Sequence, residues 1–163
     1  MYKKILGPLD GSKLSECSLD HIKAVAMGCH VSDVVLLAVL EPVLPSYSEN
    51  WGSQETTQQM VRQWQQAEKE NRQKAQNYIT KAADSLKKEG VAVNTAIIDS
   101  KVGKGVAESI LDYAQSNGVD LIIMSTHGRS GVTRFTFGSV ADKVVRHAQV
   151  PVMTVTPTSC RSS

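Results

Sequence analysis

The sequence predicts an open, doubly wound α/β fold, with a five-stranded parallel sheet and helices on both faces. Three observations carry that expectation. Five short apolar runs alternate with longer segments whose apolar residues recur at helical spacing. The runs are nearly continuous in apolar residues, as expected of parallel strands buried on both faces. Glycine or proline marks the turns and the ends of the helical segments. A length of 163 residues suits one domain with a core that needs no staples.

The elements follow in order. Lys3–Asp10 (KKILGPLD) reads as the first strand, running into a turn. Leu14 to Met27 is helical, with apolar residues at Leu14, Cys17, Leu19, Ile22, Val25 and Ala26. Asp33–Pro42 (DVVLLAVLEP) is the second strand. Glu41–Gln58 has no period and contains two prolines and a glycine, so it reads as a long loop. It leaves the carboxyl end of a strand, where it could act as a lid, or equally as a mobile excursion or a dimer arm. Tyr47 and Trp51 within it could stack on a base.

Met60 to Leu86 carries a second helical stripe, with a polar break at Asn71 and Arg72, and Gly90 closes it. Val91–Asp99 is the third strand, Val106–Ala114 a helix ended by Gly118, and Val119–Thr126 the fourth strand. Ser139–Ala148 is the last helix and Val150–Pro157 the last strand. The expected domain is 1–157, with a short polar tail at 158–163.

Composition narrows the function classes. Hydrophobic residues make up 41% and charged residues 21%, ordinary for a globular chain. A net charge of +2 gives no bulk electrostatic case for nucleic acid or membrane partners. No run approaches the ~18 apolar residues of a membrane helix, and the N-terminus lacks signal-peptide form. Three cysteines without a C-x-x-C pair argue against a disulfide framework or a zinc site. The expectation is a reduced, soluble, cytoplasmic protein.

Open α/β sheets bind ligands beyond the carboxyl ends of the strands, near the switch in strand order. That rule brings together Pro8–Ser12, Val39–Pro42 and Ser125–Gly131, which opens the stretch STHGRSGVTRFTFGS from Ser125 to Ser139. The stretch is neither a P-loop nor G-x-G-x-x-G. Its glycines could turn backbone amides toward an anion, with His127, Arg129 and Arg134 nearby. At its far end Ser139 reads as an N-cap with Asp142 three residues on, which could be a capped helix alone or an anion site. Asp10 reads either as a turn or cap residue, or as a carboxylate for ribose or base. Catalytic constellations are thin: Gly128-Arg129-Ser130-Gly131 misses a nucleophile elbow by one residue. No catalytic residue and no protein metal site is assigned. A dedicated enzyme is not expected.

The residues resemble the universal stress protein family. The resemblance rests on KKILGPLDGS at the start, IIMSTHGRSG before the loop, and GSVADKVVRHAQVPVMTV at the end. Nucleotide-binding members carry G-x-x-G, nine residues, then G-[ST]. Gly128, the nine residues Arg129–Phe137, and Gly138-Ser139 reproduce its second half, while Ser125 stands where the first glycine falls. Gly7 also departs, standing where the family has a bulky apolar residue.

The resemblance implies a Rossmann-like fold of the adenine nucleotide alpha hydrolase type. It also implies ATP across the carboxyl edge of the sheet. Pro8, Leu9 and Asp10 would border adenine and ribose, and Val39 would flank adenine. Met124, Thr126, His127, Gly128, Arg129 and Gly131 would line the ribose and phosphate side. Gly138, Ser139 and Val140 would hold phosphates, with Mg2+ or Mn2+ on them. The last strand would be the edge of a homodimer. The implied role is a nucleotide-dependent dimeric switch in stress response or signalling, with an unknown protein partner. The alternative is a nucleotide-free dimeric interaction module of the same fold.

Overall fold

A computed structural model of the chain describes residues 1–42, 54–101, 103–126 and 138–156, with residues 54–57 as backbone alone. Five strands form one parallel sheet: β1 (Lys4–Pro8), β2 (Asp33–Leu40), β3 (Val93–Asp99), β4 (Leu121–Ser125) and β5 (Val152–Val155). Their order is β3-β2-β1-β4-β5. The chain winds outward from β1 to β3, then returns to the other side of β1 through β4. The switch in strand order therefore falls between β1 and β4.

Successive side chains on a strand face opposite ways. Ile5, Val34 and Leu36 enter one core with α2 (Ser18–Gly28) and α3 (Gln54–Lys88). Leu6, Val35 and Leu37 enter the other with α4 (Val106–Ser116) and α5 (Ser139–His147). Burial on both faces is why β2 is an unbroken apolar run. At the opposite end from the site, Asp120 accepts the backbone N–H groups of Lys3 and Lys4 at 2.7 and 3.1 Å. Those bonds fix the entry of β1 beside β4.

The β1–β4 ladder is short, pairing Ile5 with Leu121 and Leu6 with Ile122. The β1–β2 ladder runs on to Pro8. The N–H of Leu9 donates to the carbonyl of Leu37 on β2 at 2.8 Å. Neighbouring N–H groups on a strand point to opposite sides, so the position of Pro8 faces β4. Proline has no N–H to donate there. The two central strands therefore stop pairing at their carboxyl ends.

Three expectations are corrected. The helix expected over Leu14–Met27 is two, α1 (Lys13–Glu16) and α2, meeting at Cys17. There Ser18 Oγ donates to the Ser15 carbonyl at 2.8 Å, a side-chain bond that competes with the helical ladder. The helix expected over Met60–Leu86 is longer: α3 runs 35 residues, straight through Asn71 and Arg72, and starts inside the expected loop. Its polar half is stabilised from its own surface: Arg72 pairs with Asp99 on β3 at 2.6 Å, and Gln66 bonds Glu70 one turn on. Lastly, Cys17 is disulfide-bonded, while Cys29 is a free thiol. An odd count excludes full pairing but not one bond.

Gly90 does end α3 as expected. Its φ of +86° lets the Val91 N–H return to the Leu86 carbonyl at 3.1 Å. Among the described residues, no helix is long and apolar enough to cross a membrane.

Candidate functional site

A cavity of about 560 Å³ opens at the carboxyl edge of the sheet, where β1 and β4 part. From β1 and its turn it takes Pro8, Leu9, Asp10 and Gly11, and from the end of β2 and the residue after it Leu37 through Glu41. β4 contributes Met124 and Ser125, and Thr126 follows them. The start of α5 contributes Gly138 to Ala141. Val106 and Ile110 of α4 line it on the same side of the sheet as α5, and α3 walls the other side.

The turn after β1 is held by a hydrogen-bond chain. Asp10 Oδ1 accepts from the Ser12 N–H at 2.9 Å and from Ser12 Oγ at 2.6 Å. Ser12 Oγ in turn accepts the Ser15 N–H at 3.1 Å, making Ser12 the N-cap of α1. Asp10 is thus a turn residue and lies on the cavity wall as well. Ser15 Oγ donates to the Ser12 carbonyl at 2.8 Å and lies 3.3 Å from the Tyr78 hydroxyl. That contact pairs a hydroxyl of α1 with one of α3. Burial pushes the Tyr78 phenol above its ordinary pKa, and the Ser15 bond works against that rise.

The start of α5 differs in detail from expectation. Gly138 is the N-cap, with φ −59° and ψ 148°, and Ser139 is the first helical residue. No side chain caps this helix, so the Ser139–Asp142 capping box does not form. The first helical bond is Asp142 N–H to the Gly138 carbonyl at 2.9 Å. The Gly138 N–H is already given to the Thr126 carbonyl at 2.8 Å, which joins the end of β4 to the start of α5. The donors of the first turn without an intrahelical acceptor are the amides of Ser139, Val140 and Ala141. Their positive dipole end faces the cavity. Such a turn receives an anion without a side chain.

Of the residues expected at the site, Pro8, Leu9, Asp10, Val39, Met124, Thr126, Gly138, Ser139 and Val140 line one cavity. His127, Gly128, Arg129 and Gly131 lie outside the described residues, as do Tyr47 and Trp51. Ser125, at the position of the missing glycine, is buried at the end of β4 and lines the same cavity. Sequence reasoning missed the wall from α3: Asn71, Lys74, Ala75 and Tyr78. Their spacing of three and four residues is one helix face, and Ala75 and Tyr78 already stood on the apolar stripe. Among the described residues there is no cluster of three or more His, Cys, Asp or Glu able to hold a metal ion.

An open α/β sheet with its cavity at the switch point, walled by a glycine-entered helix N-terminus, is a Rossmann-like architecture. A model of the universal stress protein family matches residues 1–156. Universal stress protein MJ0577 of Methanocaldococcus jannaschii is 29% identical over 155 residues, covering 95% of each chain. Its solved structure superposes with a TM-score of 0.76 at 28% identity, covering 96% of each chain. A second protein of that organism, Universal stress protein MJ0531, is 31% identical over 95% of this chain and 82% of its own. A universal stress protein of Archaeoglobus fulgidus, solved in complex with dAMP, has a TM-score of 0.64 at 19% identity, covering 94% and 97%. The chain belongs to the universal stress protein family.

Proposed function

We propose that this chain binds ATP in the cavity between β1 and β4. It then acts as a nucleotide-dependent dimeric switch in stress response or signalling, with at most slow hydrolysis. The observation that carries the reading is the convergence on one cavity of the Pro8–Asp10 turn, the end of β2 at Val39, and the first turn of α5. The base side would take Pro8, Leu9, Asp10 and Val39. The phosphate side would take Met124, Thr126 and the α5 amides, together with His127, Gly128, Arg129 and Gly131. The dAMP bound by the Archaeoglobus fulgidus protein supports an adenine nucleotide as ligand class.

Mg2+ or Mn2+ would ride on the phosphates, since the described residues offer no protein metal cluster. Slow turnover fits a cavity lining with no histidine among its described residues and only Asp10 and Glu41 as carboxylates. Dimerisation would use β5, which is an edge of the sheet. A cytoplasmic location follows from the ligand, because ATP is held inside cells.

The test is chromatography of the supernatant after denaturing purified protein, with calorimetry of the nucleotide-free chain against ATP. Adenine nucleotide released, or heat on titration, is the expected result. Neither would overturn the reading. Gly138→Val should fold yet bind ATP about tenfold or more weakly, because a branched side chain crowds the α5 amides. Unchanged affinity in that variant would move the phosphates elsewhere.

A further inference from the structure

The cavity wall formed by α3 has no part in the reading above, and it carries a charge pattern of its own. The charged residues among the described lining are Asp10, Glu41 and Lys74. Two carboxylates alone would repel an anionic ligand. The N-terminus of α5 offsets part of that from one side of the sheet, and Lys74 is the lining cation on the other.

Lys74 is also uncommitted. It forms no hydrogen bond or ion pair among the described residues, whereas Arg72 two positions earlier is paired with Asp99. Glu70 stands four residues before Lys74, the favourable order for a helical Glu–Lys pair. Its carboxylate instead accepts from Gln66 at 2.8 Å. The wall itself is fixed: Tyr78, one turn beyond Lys74 on the same face, bonds Ser15 under the cavity. Ala75, half-buried beside it, adds little bulk in front of the strand ends.

We infer that Lys74 is a phosphate-reading residue, so that the cavity holds a nucleotide between the α5 amides and an ammonium group on α3. The inference rests on the nucleotide reading and adds a specificity: phosphorylated ligands are favoured over the nucleoside. A lysine is a compact point charge on a flexible stem, suited to following a phosphate chain rather than gripping one geometry.

Calorimetry of the full chain with ATP, AMP and adenosine tests it, using wild type, Lys74→Gln, Lys74→Arg and Lys69→Gln. Lys69 is exposed on the same helix and does not line the cavity, so it reports general charge. The expected result is an ATP affinity about fivefold weaker in Lys74→Gln, as for one exposed ion pair. AMP should lose less and adenosine nothing, with binding kept in Lys74→Arg and Lys69→Gln. Equal losses for ATP and adenosine, no loss for ATP, or the same loss in Lys69→Gln would each overturn the inference alone. A wild-type chain that binds none of the three ligands overturns the nucleotide reading, and this inference with it.

Discussion

Gly7 lies inside β1, fully covered, where glycine is disfavoured by order of 0.5–1 kcal/mol against alanine. A Cβ there would stand 2.5 Å from Ile22 Cδ1 and 3.0 Å from Leu36 Cδ2. The missing side chain is the room into which α2 packs. Both atoms are tips of flexible side chains, so Gly7→Ala should cost about 1 kcal/mol or less, the displacement of Ile22 being partly offset by the better strand propensity. Ile22→Val removes the clashing methyl, so the double variant should be less unstable than the two single losses summed. Urea denaturation of the four proteins checks this, and strict additivity would place the strain elsewhere. Gly7 was visible in the sequence as a departure from family pattern. Its reason was not, because Ile22 is fifteen residues away on another element. Lys74 shows the same limit from the other side. An exposed lysine on a polar helix looks like solvated surface until the sheet edge is set beside it.

At the scale of elements, α5 presents its amides to the cavity and is steadied from α4. Lys143 of α5 pairs with Glu108 of α4, and Arg146 with Asp142 at 2.9 Å. The Lys143 hydrogen bond holds the Glu108 carboxyl below the ordinary carboxylate range. A depressed carboxylate contributes stability at neutral pH that is lost as pH falls through its folded pKa. Glu108→Gln should thus melt slightly lower at neutral pH and show a shallower decline toward acid than wild type. Parallel thermal melts across the carboxylate range measure both, and identical acid slopes would remove this pair from the account. The strands themselves were legible, because burial on both faces writes an unbroken apolar run such as Val34–Ala38. The start of α3 was not. A helix that is wet for half its length has little apolar stripe to announce it, and the prolines and glycine just before Gln54 favoured a loop.

For the whole molecule, a ligand seated across β1, β4, α3 and α5 couples elements from both cores. Binding only to the folded chain raises its stability by mass action, about 2.7 kcal/mol at a hundredfold excess over Kd. For a chain of this size that amounts to a melting shift of about 5–10 °C. A thermal melt with and without ATP reads it, and no shift at saturating ATP would argue that nucleotide does not engage the folded state. The alternation of strands and helices gave away the parallel sheet. The place where the strand order turns, between β1 and β4, depends on pairings far apart in sequence and had to be seen.

Pro8 gives that turning point a practical consequence. Any other residue there would bring an amide hydrogen facing β4 and let the central seam of the sheet zip one step further. The gain in hydrogen bonding would come at the mouth of the cavity. Engineering this chain for heat resistance, with melting temperature as the only score, would therefore tend to replace Pro8. It would return a sturdier protein with a narrower doorway.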